Sequence, residues 1–372
     1  MNQRLLHPFS PSHSDEFAAL TSPQILIVGL GESGYAMAKW CLSQGAQVQL
    51  ADTRPLSTLN LQQQTWLSEL EGEGLKSFTP EASDWKRLLE QVDILGISPG
   101  LSPLQEPAKS FLAICDERKI PVWSEIEFFA RALTALNSMA LEANTTYQPK
   151  ILAITGTNGK TTTSALTAQI CERAGRRVAL AGNISPAALE KLNAVLNEAE
   201  SFSDLPHIWV LELSSFQLHF THTLNPTAAT VLNLSQDHLD WHGSMEAYAK
   251  AKSRIFEMTD ICIVNRDDKL VMDMVESLHG MNVRSFGRDV PMYAGDVGIE
   301  ISHDVPWLVV AKPNEFEDEE VPAPKRKKGA PPPERQPGRL VRLMPVEALA
   351  IRGLHNALNV QVAAQLAIAA GA

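Results

Sequence analysis

The chain has 372 residues, enough for two or three domains that each bury a core of their own. Hydrophobic residues make up 44% and charged residues 20%, the balance of an ordinary globular protein, which excludes fibrous and wholly disordered classes. A net charge of −11 argues against a general nucleic-acid or membrane-surface binder, while leaving room for a locally basic phosphate site.

Residues 1–22 read as a loose lead-in. Order begins with the short apolar run Gln24–Val28, which suits a buried parallel strand. It enters Gly29-Leu30-Gly31-Glu32-Ser33-Gly34, a G-x-G-x-x-G turn, and a helix from about Tyr35 to Gln44 closed by Gly45. A second strand, Gln47–Ala51, ends in Asp52-Thr53-Arg54. That places a carboxylate about twenty residues after the glycine turn, where a dinucleotide fold meets a ribose. Strand, turn, helix and acid together predict a Rossmann-like domain. They do not select NAD, because the same geometry holds any nucleotide diphosphate. Arg54 either reaches a phosphate or is solvated. A third strand, Val92–Ser98, runs into Pro99-Gly100, and a helix Ala108–Lys119 leads to a short strand, Ile120–Trp123. Ser124 is placed to cap a helix that ends near Ala135. The aperiodic, polar stretch from Leu136 to Pro149 suggests the domain linker, so the first domain spans 23–140 and the second 141–372.

The second domain opens on a buried strand, Ile151–Thr155, then Gly156-Thr157-Asn158-Gly159-Lys160-Thr161 and a helix to about Ala174. Glycines 156 and 159 let backbone N–H groups converge on one anion, and the helix adds its positive end. Lys160 offers a mobile charge for outer phosphates and the Thr161 hydroxyl a ligand for Mg²⁺, with Thr162 and Thr163 following in the helix. The spacing is shorter than the common phosphate-loop pattern. A P-loop-type, mostly parallel α/β domain is expected. Asn183, after a strand-like Arg177–Ala181, either turns the chain or points its amide into the cleft. Glu212 ends the apolar strand His207–Leu213, where a carboxylate needs a partner such as Mg²⁺. After a strand Thr227–Asn233, Asp237, His238, Asp240 and His242 crowd one loop, which suggests a metal or substrate site or a solvated loop. Ser244 caps the next helix, on which Lys250 and Lys252 face different sides. Residues 312–339 hold an acidic run, a basic run and many prolines, so a disordered surface insertion is expected. Val283–Gly287 and Trp307–Ala311 close the sheet or add a hairpin, and Gly353-Leu354-His355-Asn356-Ala357-Leu358-Asn359 opens a final helix. Cys41, Cys115, Cys171 and Cys262 form no C-x-x-C pair, as for structural thiols in a reducing cytosol. There is no signal-peptide core and no apolar run of the ~18–20 residues a membrane helix needs, so a cytoplasmic protein is expected.

Taken together, these motifs resemble the Mur ligase family. The resemblance runs through Gly29–Gly34, Asp52–Arg54, Ser98–Gly100, Thr155–Thr161, Gly182–Ile184, Leu211–Leu218, Gln236–Asp240 and His355–Asn359, in order and over nearly the whole chain. The Leu211–Leu218 motif points to the member that adds D-glutamate. The resemblance implies ATP-dependent amide formation through an acyl phosphate, with UDP-N-acetylmuramoyl-L-alanine, D-glutamate and ATP as substrates, in peptidoglycan precursor synthesis, by a monomer. It implies that Gly156–Thr163 hold ATP, with Asn356 and Asn359 near the adenine. Two Mg²⁺ would be served by Thr161, Glu212, His238 and Lys252, the last as a carbamate formed with CO₂. Glu32, Ser33, Asp52, Thr53, Arg54, Ser98 and Gly100 would hold the UDP end, and Asn183, Ser214 and Gln217 the muramoyl cleft. Family members carry a third, glutamate-binding domain that this sequence lacks, so poor ligation by these 372 residues is expected. Three rival readings are a folylpolyglutamate synthase, an NAD-dependent oxidoreductase joined to an NTPase module, and a non-catalytic nucleotide-binding fragment.

Overall fold

The computed structural model describes Leu5, Pro8, Phe9 and residues 22–276, 282–313 and 335–372. Most of the 1–22 lead-in therefore lies outside the described residues, as do 314–334 of the expected insertion. Leu5 and Phe9 are buried against the first core, so this part of the lead-in is packed rather than loose.

The first sheet is built from β1 (Gln24–Val28), α1 (Glu32–Ser43), β2 (Gln47–Ala51), α2 (Leu61–Gly72), β3 (Ser77–Thr79), α3 (Trp85–Leu88), β4 (Ile94–Ile97), α4 (Ala108–Arg118) and β5 (Val122–Trp123). Its strands are all parallel, in the order β3-β2-β1-β4-β5. The order reverses between β1 and β4, and a crevice opens there beyond the strand ends. Helix α1 starts three residues earlier than expected, at Glu32. Gly34 allows this: a Cβ there would lie 1.8 Å from the Gly29 carbonyl oxygen.

Helix α5 (Glu125–Glu142) begins as expected at the Ser124 cap, whose hydroxyl accepts from Glu127 N–H at 3.1 Å. It runs seven residues past the expected end, because Leu136 and Ala140 continue its buried stripe. It packs on both α1 and a later helix, α7, so one core continues from the first sheet to the second.

The second unit comprises β6 (Lys150–Thr155), α6 (Lys160–Arg173), β7 (Val178–Gly182), α7 (Ala188–Glu198), β8 (Ile208–Glu212), α8 (Ser215–His219), β9 (Ala228–Val231), α9 (Leu239–His242), α10 (Met245–Glu257), β10 (Ile261–Asn265), α11 (Lys269–Glu276) and β11 (Asn282–Phe286). Its six strands are parallel, ordered β11-β10-β9-β6-β8-β7, with β6 between β8 and β9. Strands β12 (Val297–Ser302), β13 (Val305–Lys312) and β14 (Arg339–Pro345) form a separate antiparallel sheet. Thus 283–287 joins the main sheet and 307–311 does not. Helix α12 (Leu354–Ala369) packs against α6. Among the described residues no helix is long and apolar enough to cross a membrane.

Candidate active site

Two candidate sites lie at the C-terminal ends of the two parallel sheets. In the first, the turns after β1, β2 and β4 enclose a cavity of about 480 Å³. Glu32, Ser33, Asp52, Thr53, Arg54, Ser98 and Gly100, all expected from the sequence, line it. Asp52 is buried, and its carboxylate accepts from Leu30 N–H at 2.7 Å and from the Arg54 backbone and guanidinium. Burial pushes this carboxyl up, but the Arg54 and Leu30 hydrogen bonds outweigh it and hold it below the ordinary value. Asp52 therefore pins the glycine turn in place, a role the ribose expectation did not contain. Arg54 is not a freely solvated side chain: it also donates to the Leu30 carbonyl at 3.1 Å. Ser98 closes the crevice by donating to the Gly29 carbonyl at 2.8 Å.

The second site is built on the loop between β6 and α6. Gly159 has φ +85°, and a Cβ there would meet the Asn359 side chain at 2.9 Å. The same approach brings α12, with Asn356 and Asn359, against the loop; Asn359 donates to Asn356 at 3.3 Å. Lys160 folds over its own loop and donates to the carbonyls of Gly156 and Thr157 at 3.1 and 3.0 Å. Thr161 and Thr162 are exposed, whereas the Thr163 side chain is fully buried and offers nothing to the open face. Thr157 and Asn158 are held by Asn233, whose carbonyl and side chain bond their N–H groups at 3.0 and 2.9 Å.

Glu212 ends β8 next to this loop and is 3% exposed. One carboxylate oxygen accepts from the Thr161 hydroxyl at 2.9 Å and the other from the Asn183 amide at 3.1 Å. Asn183 thus points into the cleft. Among the described residues no cationic side chain forms a salt bridge with Glu212. Lys252 is 2% exposed, as the opposite-face expectation requires, while Lys250 is exposed. Its ammonium donates to the Thr155 hydroxyl at 3.2 Å and the Gly156 carbonyl at 3.0 Å, above the Tyr248 ring. Burial, and then the Lys160 charge, push it down to about 7.

The acidic and histidine loop does not form one cluster. Among the described residues no group of three or more His, Cys, Asp or Glu side chains is arranged to hold a metal. His238 is exposed beside Asp237, at 3.4 Å, and Asp240 is also exposed. His242 turns inward instead and bonds the Ser215 hydroxyl at 2.9 Å. Burial, with the His219 and Lys252 charges behind it, pushes His242 down to about 4. Ser214 and Gln217 form the capping box of α8, which engages the Ser214 hydroxyl and the Gln217 carbonyl oxygen internally. Tyr248, Asn233 and Trp241 are not singled out by the sequence. Only Asn233, a polar residue just past an apolar strand, carried a local signal.

A larger cavity, about 540 Å³, sits at the opposite end of β6 beside Lys150 and Arg177. Arg177 is held there by the Leu205 carbonyl and His207.

A model of the Mur ligase middle domain matches residues 154–305, and one of the Mur ligase MurD-like N-terminal domain matches 23–116. The UDP-N-acetylmuramoylalanine–D-glutamate ligase of Bordetella bronchiseptica is 51% identical over 360 residues, which cover 95% of this chain and 67% of that protein. The protein of the same name from Cupriavidus pinatubonensis is 49% identical over 355 residues, 94% and 67% of the two chains. In fold, the chain is similar to the solved UDP-N-acetylmuramate:L-alanyl-gamma-D-glutamyl-meso-diaminopimelate ligase from Neisseria meningitides, with a TM-score of 0.53, 16% identity and 94% of each chain covered. Two domain models in the expected order, and relatives at about half identity along nearly its whole length, make this chain a member of the Mur ligase family.

Proposed function

We propose that the chain carries the UDP- and ATP-binding parts of a ligase that joins D-glutamate to UDP-N-acetylmuramoyl-L-alanine. The observation that supports this most is the convergence of Lys160, Thr161, Glu212 and Lys252 on one loop, together with the crevice lined by Glu32, Ser33, Asp52 and Arg54 at the end of the first sheet. The names of the relatives supply the substrates. The reading places a monomer in the cytoplasm.

In this reading a carboxylate oxygen of the UDP-linked acid attacks the γ-phosphorus of ATP, and the bond to the ADP oxygen breaks. The amine nitrogen of D-glutamate then attacks the acyl carbon. The bond to phosphate breaks, phosphate leaves, and the amine gives one proton to solvent. Lys160 leaves its loop carbonyls to lie along the outer phosphates, where a positive charge offsets that of two anions brought together. The loop N–H groups and the α6 N-terminus hold the remaining phosphate oxygens.

Glu212 and Thr161 fit a divalent cation: a carboxylate so buried has two neutral donors and no cationic partner among the described residues, and Mg²⁺ seeks one or two protein oxygens beside phosphate. Bound there, Mg²⁺ would neutralise phosphate charge. Lys252, held near neutrality, is suited to add through Nζ to CO₂ and release a proton, which turns it into an oxygen ligand. His238 would serve a second ion.

The test is ADP and phosphate release with Mg²⁺–ATP. The reading expects ADP formation to require UDP-N-acetylmuramoyl-L-alanine. ADP formation indifferent to the UDP-linked acid would contradict it.

A further inference from the structure

Between the two sites runs a strap of side chains that belongs to neither. Its centre is Trp241 on the short turn α9, 5% exposed. Trp241 is fastened at both ends to the wall of the first crevice. Its indole N–H donates to the Pro99 carbonyl at 3.1 Å, and its own carbonyl accepts from the Ser102 hydroxyl at 2.8 Å. Gln105 adds a bond to the neighbouring Asp240 carbonyl at 2.9 Å. On its other side the indole packs against Phe216 and His242, with ring centroids 4.8 and 4.4 Å away. His242 lies 5.2 Å from the Tyr248 ring, and the Tyr248 hydroxyl bonds Thr157 of the phosphate loop at 3.2 Å.

We propose that Trp241 is a positioning residue that ties the Pro99–Ser102 wall of the first pocket to the phosphate loop, so that filling one site orders the other. The proposal rests on the reading of the second site as an ATP site. The physical argument is that close-packed side chains with no slack transmit displacement, and that this strap is anchored by hydrogen bonds at each end. Two substrates whose reacting atoms must meet gain from such a fixed separation, because a small misplacement costs much rate.

Hydrogen exchange on the full chain tests this, in wild type, Trp241→Phe and Ser102→Ala, with and without a non-hydrolysable ATP analogue and Mg²⁺. Trp241→Phe keeps an aromatic ring but loses the N–H bond and part of the indole packing, whereas Ser102→Ala removes the other bond and leaves the indole in place. The proposal expects two results. Exchange over 98–105, leaving out Leu104 because its N–H bonds the Ser102 hydroxyl directly at 3.2 Å, rises in the absence of nucleotide by about 2–10-fold in each variant, the worth of one buried hydrogen bond. The analogue slows exchange over 98–105 in wild type and no longer does so in the variants, although its protection of 156–163 persists. A merely structural role would lower the unfolding temperature and leave that transmitted protection intact. The proposal is overturned if nucleotide-free exchange over 98–105 is unchanged in both variants, or if the analogue still protects 98–105 in both. Absence of protection at 156–163 in wild type would sink the ATP reading instead, and the nucleotide-free rates would then decide the strap by themselves.

Discussion

A Lys252→Met substitution should raise the stability of the fold while abolishing its chemistry. Burial and the nearby Lys160 charge bring the Lys252 ammonium from an ordinary 10.5 to about 7. At about 1.36 kcal/mol per pH unit, keeping this lysine in the folded chain at neutral pH costs on the order of 5 kcal/mol relative to an exposed one. Its hydrogen bonds to Thr155 and Gly156 return about 1–3 kcal/mol. Methionine fills a similar volume with no charge, and Gly156 keeps its bond from Lys160. The expected net gain is about 2–4 kcal/mol at neutral pH. The sign of its pH dependence follows from the lowered value. The unfolded lysine keeps its proton up to 10.5 and the folded one only to about 7. Wild-type stability therefore rises with pH across that window, and the advantage of the variant shrinks. Urea unfolding of both proteins in CO₂-free buffer, at about pH 7 and about pH 10, measures the gap; taking the difference cancels the other groups that titrate there. A variant less stable than wild type at neutral pH, or a gap that does not close as pH rises, would refute the reasoning.

Other substitutions separate the parts of the site. Glu212→Gln should keep the Asn183 and Thr161 contacts in modified form yet weaken Mg²⁺–ATP binding at least about tenfold, read by calorimetry, because a carboxylate is replaced by a neutral amide. Asp52→Asn turns an amide toward donors that a carboxylate had accepted from, so it should cost about 1–3 kcal/mol in chemical unfolding and reduce UDP affinity. Glu127→Ala removes the acceptor of the His222 and Thr223 N–H groups between α5 and the second sheet. At about 1–3 kcal/mol for each buried donor left without a partner, unfolding in urea should show a loss of about 2–6 kcal/mol; a loss within error of zero would mean that water takes over both donors.

The parts of the site legible in the sequence were those whose chemistry is written locally. Gly156–Thr161 and Gly29–Gly34 place their glycines where backbone must approach backbone, and Glu212 announces itself as a carboxylate ending an apolar strand. What escaped depends on distance along the chain. Lys252 meets Thr155 and Gly156 across about a hundred residues, and nothing near Tyr248 reveals that it bonds Thr157. Residue type alone misassigned emphasis: Asp52 reads as a ribose ligand but also pins the turn, and His242 reads as a metal candidate but is buried on Ser215. Helix α7 carries Leu189, Leu192 and Leu196 at helical spacing on its buried face. Helix α5 was cut short where polar residues on its exposed face masked the buried Leu136 and Ala140.

The central claim is that the crevice at Gly29–Gly34 holds a UDP-linked acid rather than a dinucleotide. Calorimetric titration of the chain with UDP-N-acetylmuramoyl-L-alanine, repeated with UDP or NAD present as competitor, tests it most directly. Saturable binding that UDP displaces, that NAD does not displace and that Asp52→Asn weakens is expected. Binding of NAD at this crevice without binding of the UDP-linked acid would contradict it.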